Sequence, residues 1–205
     1  MKQALVLFVA FLLTGCATQN ITAKGPEETK VDKEKVVSGS FEETWDRIVS
    51  RLSGSFFVIN NIEKDSGIIN VSFSADDATR FINCGTMEIT TSGNARTFEV
   101  ASDFVSPLVY RQGIYKFTGE TRRDGNLDGR MNIYVKEKGK GSSLVKVNAR
   151  YVFKSTERLY DAAGRHQKTV SEEVTFQTGS PGSLRKTKCV SNGSLERRVF
   201  KMASE

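Results

Sequence analysis

Apolar residues recur at every second position between residues 145 and 153, and this pattern limits the fold more than any other feature of the chain. The apolar set is Val145, Val147, Ala149, Tyr151 and Phe153. Lys146, Asn148 and Arg150 stand between the first four of them. Because successive side chains of a strand point to opposite faces, the pattern predicts a strand with one face on a core and the other in water. Such one-sided strands are typical of antiparallel sheets.

Seven further segments predict strands, and turn-forming residues separate them. They cover residues 56–62, 67–74, 86–90, 95–101, 113–118, 130–138 and 170–177. Residues 63–66 indicate a hairpin turn between the first two. Short connections of this kind favour antiparallel neighbours.

Two helices flank the predicted strands. Ser40 and Glu43 have the spacing of a capping box, in which each side chain accepts a hydrogen bond from the other residue's backbone N–H. The apolar residues of this helix recur at helical spacing, and Gly54 ends the pattern. They are Phe41, Trp45, Ile48, Val49 and Leu52. A second helix begins near residue 191 or 192, and its inward residues are Leu195, Val199 and Met202.

The fold class predicted from these elements is α+β. We expect a single antiparallel sheet of about six to eight strands, packed on one face against an N-terminal and a C-terminal helix. A chain of 205 residues has the length of one ordinary domain.

The N-terminal residues have the layout of a bacterial export signal. Lys2 gives a positive start, residues 4–13 are all apolar, and Gly15 is the small residue before a cut. The apolar stretch is too short to span a bilayer as a helix, which needs about 20 residues. The run Leu13-Thr14-Gly15-Cys16 resembles the lipobox of bacterial lipoproteins, which implies that Cys16 is acylated and becomes the mature N-terminus. An ordinary cleaved signal peptide is the alternative.

The residue after the cysteine bears on the destination of such a lipoprotein. Asp at this position commonly retains lipoproteins in the inner membrane, and this chain has Ala17. The resemblance therefore implies a lipid anchor in the outer membrane. It does not specify the leaflet; we favour the periplasmic face, and the cell surface is the alternative. Several acyl chains anchor a protein stably, because each buried CH₂ contributes about 0.8 kcal/mol.

Composition divides the chain into three parts. Residues 1–15 form the predicted signal peptide, 16–35 a flexible tether and 36–205 a helix-grip-like α+β domain. The tether is polar and charged, with almost no large apolar groups, so burial there cannot offset the entropy lost on ordering.

Cys84 and Cys189 are the cysteines that remain beside Cys16. An exported domain folds in an oxidising compartment, where paired cysteines form disulfides. A Cys84–Cys189 bond would close a loop of about 100 residues, which stabilises a fold by on the order of 4–5 kcal/mol. We expect this disulfide, and two separate buried thiols are the alternative.

Three spacings near the start of the domain resemble a known helix–hairpin arrangement. They are Trp45-x6-Leu52, Phe57-x-Ile59 and Asp65-x-Gly67-x-Ile69-x-Val71. This run is similar to the helix-grip modules of the BamC family, accessory lipoproteins of the outer-membrane β-barrel assembly machinery. The resemblance covers residues 40–74 and implies that the helix packs into the concave face of an antiparallel sheet. It also implies an envelope protein as partner, with barrel assembly as one candidate process.

Asp124, Asn126 and Asp128 match the first half of a calcium loop, in which oxygens at alternating positions converge on the ion. The twelfth position of such a loop carries a glutamate, but here it is Val135. Asp-Gly pairs are also what a hairpin loop needs. We therefore expect a turn and no metal, and keep these three residues as a weak calcium candidate.

No set of residues points to catalysis. His166 is the single histidine and stands in a predicted surface loop. Without a second histidine or a reactive cysteine, an activated nucleophile is hard to assemble. We therefore expect no enzyme activity and no cofactor.

Charge is mildly positive and mixed in sign. The chain has 30 basic and 24 acidic residues, a formal net charge of +6. It lacks a basic module flanked by aromatic residues of the kind that binds RNA, so we expect no nucleic acid as partner. Two basic runs stand out, Arg122-Arg123-x6-Arg130 and Arg185-Lys186-x-Lys188. Solvated loops are one interpretation, and contact with anionic lipid or glycan phosphate is the other.

The expected function is that of a non-enzymatic outer-membrane lipoprotein, held by its acyl chains and acting as an accessory or scaffold subunit of an envelope protein complex. The alternative is a periplasmic carrier of a small apolar ligand or lipid, because a helix gripped by a curved sheet can leave an apolar cavity. Its lining would be Trp45, Phe57, Ile69 and Phe73.

Overall fold

A long β-hairpin forms the centre of the structure. This computed structural model describes residues 19–27, 29–91, 94–112, 115–185 and 187–205. Cys16 and the predicted signal peptide lie outside the described residues. Within the described part, none of the helices has the length and apolar character needed to cross a bilayer.

The described part contains thirteen strands and two α-helices. The strands are β1 (Gln19–Lys24), β2 (Glu34–Ser38), β3 (Val58–Glu63), β4 (Ile68–Ala75), β5 (Ile82–Asn83), β6 (Thr86–Thr91), β7 (Asn94–Glu99), β8 (Phe104–Gln112), β9 (Tyr115–Gly139), β10 (Ser142–Asp161), β11 (His166–Gln177), β12 (Gly182–Leu184) and β13 (Thr187–Ser191). The helices are α1 (Phe41–Ser53) and α2 (Ser194–Ser204), and Ala78–Arg80 forms a 3₁₀ turn. Each predicted strand segment lies wholly or mostly within one of these strands, and both predicted helices are present.

Strands β9 and β10 form the central hairpin, which we call the spine. They pair from Gly139 and Ser142 beside the turn to Gly119 and Asp161 at the other end. At 25 and 20 residues they are much longer than the usual 5–6 residues, so each has two partners in succession. Beside the turn, at the near end, the order is β2-β10-β9-β4-β3. Away from the turn, at the far end, the order is β11-β10-β9-β8, which completes one antiparallel seven-stranded sheet.

The remaining strands form two further sheets, so the prediction of a single sheet is wrong. Strand β6 pairs with β7 and with β1, and β13 joins β12 to β5. Alternation of side chains identifies a strand but not its neighbour, because pairing depends on contacts that are distant in sequence. The coarser prediction is confirmed: the fold is α+β, mostly antiparallel sheet with two helices.

The predicted flexible tether is wrong for Gln19–Lys24, which forms β1. Its backbone pairs with β6 from Gln19 opposite Thr91 to Lys24 opposite Thr86. Strand pairing is made by backbone hydrogen bonds, so a segment with one large apolar residue can be ordered at a sheet edge. Regular secondary structure therefore begins well before residue 36.

Both helices pack on one face of the near end, which we call the inner face. Ser40 and Glu43 form the predicted capping box at the start of α1. The helix residues turned toward the sheet are buried; they are Trp45, Ile48, Leu52, Leu195, Val199 and Met202. The apolar side of the alternating segment in β10 meets them, and Tyr151 and Phe153 are both 0 % exposed.

The sheet made of β1, β6 and β7 covers the inner face at the far end. The ring of Phe98 on β7 stacks on that of Phe104 on β8, with centroids 4.4 Å apart. Ile21 and Met87 line a small cavity together with Arg123 of β9. Helices thus cover one half of the inner face and a second sheet covers the other half, while the outer face has no covering layer within the described residues.

Residues 124–129 lie inside β9, so the predicted hairpin turn is wrong at this position. Asp124, Asn126 and Asp128 are all exposed on the outer face. Side chains two residues apart on a strand lie about 6.6 Å apart and point in parallel, so these three cannot converge on one ion. Asp124 pairs instead with Arg158. No group of three or more His, Cys, Asp or Glu side chains that could hold a metal occurs in the described part of the chain.

The glycines between these residues face inward and leave room for aromatic rings. A Cβ on Gly125 would lie 3.0 Å from the Phe153 ring, and one on Gly129 would overlap the Phe73 ring. The same Asp-Gly pattern that suggested a turn therefore serves ring packing, with acids outside and glycines inside.

Cys84 and Cys189 lie at disulfide distance, with an S–S separation of 2.01 Å. Both side chains are buried, at 1 % and 0 % exposed. The residues beside them also pair, because Val190 lies opposite Asn83 in the β13–β5 ladder. The bond joins segments 105 residues apart and ties β13, which leads into α2, to the middle of the chain.

We expect Gly129→Ala to destabilise the fold by about 1–3 kcal/mol, because the new methyl group would press on Phe73 and lie 2.7 Å from the Arg150 carbonyl oxygen. Urea denaturation followed by circular dichroism measures the free energy of unfolding. Gly139→Ala is the matched control, since its Cβ would meet only Ser142 Oγ, at 3.6 Å. Equal losses in the two variants would contradict the ring-packing role of Gly129.

Candidate functional site

The predicted apolar cavity between helix and sheet is filled with side chains. Trp45, Phe57, Ile69 and Phe73 are between 0 % and 6 % exposed and belong to one continuous core. The rings of Phe57 and Phe73 meet edge to face, with centroids 6.2 Å apart. These four residues therefore pack the interior, and no cavity is left between helix and sheet at their position, although Phe73 also borders an open groove on the sheet.

His166 lies where the sequence predicts it, on the surface of the far end. It begins β11 and is exposed. Its Nε2 is 2.8 Å from Thr169 Oγ1, and its ring meets the edge of Tyr160. These contacts hold the imidazole against the sheet.

The outer face of the near end carries an ordered polar surface. Register places Asn70 of β4 opposite Asn132 of β9, and Asn132 opposite Asn148 of β10. Three amides thus form a row across three strands. The next row along the same face reads Ser72, Arg130 and Arg150.

Arg130 and Arg150 stand directly opposite each other on neighbouring strands. Like charges in this position repel and destabilise a sheet. Both side chains are exposed, and neither has an ion pair or hydrogen bond with any described residue. Two arginines are therefore paired across the strands with no ion pair to any described residue.

Some other outward cations of the same sheet have carboxylate partners. They are Arg122 with Glu120, Lys146 with Glu34, and Arg158 with Asp124. Lys136 and Lys154 on the same face have no ion pair within the described residues, so what distinguishes Arg130 and Arg150 is that they stand opposite each other.

Two grooves meet at these arginines, and we call them together the arginine groove. One, of about 520 Å³, is lined by the amide row and by Asn60. The other, of about 620 Å³, runs past Asp128 to Phe56 and Val58. Both grooves include Arg130 and Arg150. A ligand here would meet two positive charges, the carboxylate of Asp128, several amides and an apolar end.

The apolar end of the arginine groove adjoins an open sheet edge. Strand β3 pairs with β4 and, within the described part, with no other strand. Val58 and Ile62 on this strand are 61 % and 39 % exposed. An edge strand with exposed apolar side chains is a template on which another chain can pair. The Phe56 ring beside it is also exposed and lies under Arg198, 5.1 Å from its guanidinium carbon.

A second, smaller cavity of about 140 Å³ lies between the far end and the β1-β6-β7 sheet. Arg123 reaches into it and is 4 % exposed. Its Nε donates to Ser155 Oγ at 2.8 Å, and Glu157 lies 3.4 Å from its Nη1. Burial lowers the pKa of Arg123, and the charges of Glu157 and Glu172 oppose that shift. Because this cation has partners within the fold, the cavity is a weaker candidate than the groove.

The basic run Arg122-Arg123-x6-Arg130 is split by the pleat of β9. Arg123 points inward, while Arg122 and Arg130 point outward. The interpretation as a solvated loop is wrong, because the run lies within a strand. Period-2 spacing could have separated these residues, but the pairing of Arg130 with Arg150 depends on register, which neither segment reveals alone.

Comparisons with protein-family models, with curated proteins and with solved structures find no match for the chain. The resemblance to helix-grip lipoprotein modules therefore stays a prediction. What the chain binds must therefore be inferred from the chemistry of its own surface. The arginine groove is the part of that surface where two like charges stand opposite each other.

We expect Arg150→Gln to raise the free energy of unfolding by about 0.2–1 kcal/mol at low ionic strength, because it removes a like-charge pair. The gain should shrink as salt screens the repulsion. Urea denaturation at two salt concentrations measures it. Lys146→Gln is the control on the same strand and face, and it should give no gain because Lys146 pairs with Glu34 at 2.9 Å. Loss of stability in Arg150→Gln would show that the pair is not repulsive.

Proposed function

We propose that this chain is a non-enzymatic outer-membrane lipoprotein and an accessory or scaffold subunit of an envelope protein complex. Its binding surface is the arginine groove. The observation that carries the proposal is the arginine pair, which has no ion pair within the described residues, since a fold keeps such a repulsive pair where an anionic partner neutralises it. The export signal and the lipobox-like run ending at Cys16 support the location.

The partner presents an acidic, extended segment of protein. Guanidinium groups bind carboxylates with charge-assisted, often bidentate hydrogen bonds, and two of them side by side select closely spaced acids. The amide row supplies both donors and acceptors for a peptide backbone. Val58 and Phe56 at the other end suit apolar side chains next to the acids. The open edge of β3 allows the segment to add as a strand.

The arrangement of α1 and α2 on the inner face supports a helix-grip-like module. In such a module the helix side carries the core and the opposite sheet face is available to partners. The resemblance of residues 40–74 to the BamC family makes barrel assembly the first envelope process in which to seek the partner. The carrier alternative has less support, because the space it needs is filled by Trp45, Phe57, Ile69 and Phe73.

Cross-linking in intact cells tests the partner. A photo-reactive amino acid at Val58 should capture an envelope protein, and Arg130→Glu with Arg150→Glu should lower its recovery by about tenfold or more, because each lost charged hydrogen bond costs about 1.5–3 kcal/mol. Lys136→Glu with Lys154→Glu makes the same charge change at other exposed positions of the same sheet and serves as the control. Equal recovery from the two double variants would refute recognition by the arginine groove.

Lipidation is tested separately with Cys16→Ala. Wild type should incorporate labelled palmitate and sediment with outer membranes, whereas the variant should do neither, because the acyl chains are its anchor. The partner should then be recovered only from wild type. A chain that reaches the periplasm without label would exclude the lipoprotein proposal and leave the groove to be judged on its own experiment.

A further inference from the structure

We infer that the far end of the large sheet rests against the surface of a lipid bilayer when the chain is anchored at Cys16. The inference rests on the proposed lipid anchor and goes beyond it, because it assigns a membrane-contacting surface to the folded domain. It follows from the position of Gln19, the first described residue, and from the three-residue separation between Gln19 and Cys16.

Gln19, the first described residue of β1, is held to the far end by two hydrogen bonds. Gln19 Nε2 donates to the Pro107 carbonyl oxygen at 3.0 Å, and the Val109 backbone N–H donates to Gln19 Oε1 at 2.9 Å. This pair of bonds holds the start of β1 on β8, close to the end of the spine that is opposite the helices. The exit point of the N-terminal chain is therefore defined within the fold.

The connection from that point to the anchor is short. Cys16 lies three residues before Gln19, and three residues of fully extended chain reach about 10 Å. Strand β8 continues past Val109 for three residues to Gln112, which also covers about 10 Å. The far end thus extends about as far as the anchor can. A domain held so closely cannot stand away from the lipid, and its far end meets the bilayer first.

The side chains of the far end suit an anionic lipid surface. Val105 and Phe117 are 52 % and 39 % exposed. Arg165 and Lys168 are exposed on the β10–β11 side of the same end, and Lys168 has no carboxylate partner among the described residues. The far end thus carries both exposed apolar groups and flexible cations, which the headgroup region accepts, because apolar stems enter the boundary while the charges meet lipid phosphates.

A vesicle experiment tests this contact without relying on acylation by the cell. Mature chain beginning at Cys16 is coupled through that thiol to a maleimide lipid in vesicles of phosphatidylcholine and phosphatidylglycerol, since Cys84 and Cys189 are bonded to each other. A polarity-sensitive NBD group is attached through p-azidophenylalanine at Phe117 or, as the control, at Lys136 near the other end of β9. We expect a severalfold rise in NBD emission with a blue shift at position 117 and none at 136.

Two outcomes would overturn the inference. One is equal emission from positions 117 and 136 on the vesicles. The other is a signal at position 117 that does not fall when a Gly/Ser insert of about 20 residues is placed between Thr18 and Gln19, because the short connection is what holds the far end down. Palmitate labelling of the natural chain tests the lipid anchor, whereas NBD emission tests the contact of the far end with the bilayer. Failure of the lipoprotein proposal can therefore be distinguished from failure of this inference.

Discussion

The pairing of β9 with β10 over twenty residues is the interaction on which the rest of the structure depends. Each strand extends beyond its first partner strand and pairs with a second. One sheet therefore supports two different covering layers, helices at the near end and a three-stranded sheet at the far end. The disulfide then ties β13 to the middle of the chain. The outer face has no covering layer within the described residues, and that leaves a continuous ordered surface for recognition.

On the outer face, the arrangement of charges that would stabilise the free protein differs from the one that would bind an anionic partner. A sheet would be more stable with an acid beside each cation, as it has for Arg122, Lys146 and Arg158. Arg130 and Arg150 have no such ion pair within the described residues, and they also stand opposite each other on neighbouring strands. Strain of this kind is a reasonable mark of a binding site, because the missing stabilisation is available to a partner.

Local patterns in the sequence are enough to predict elements but not their assembly. The alternation in β10 and the capping box of α1 appear in the structure as predicted, because both depend on neighbours within a few residues. The Asp-Gly segment of β9 misleads, since glycine serves both turns and the space under a ring. Register across strands decides the site, and no single segment contains the information that Arg130 faces Arg150.

The length of the spine also determines how far the arginine groove lies from the far end of the sheet. Arg130 lies about 13 residues along β9 from Phe117, which is about 40 Å of strand. On an upright spine the groove would stand that far above the lipid, beyond the reach of membrane-embedded segments and several Debye lengths from the headgroup charges. A partner would have to present its acidic segment at the same distance from the membrane. The protein would therefore discriminate between partners by the length of that extension as well as by charge.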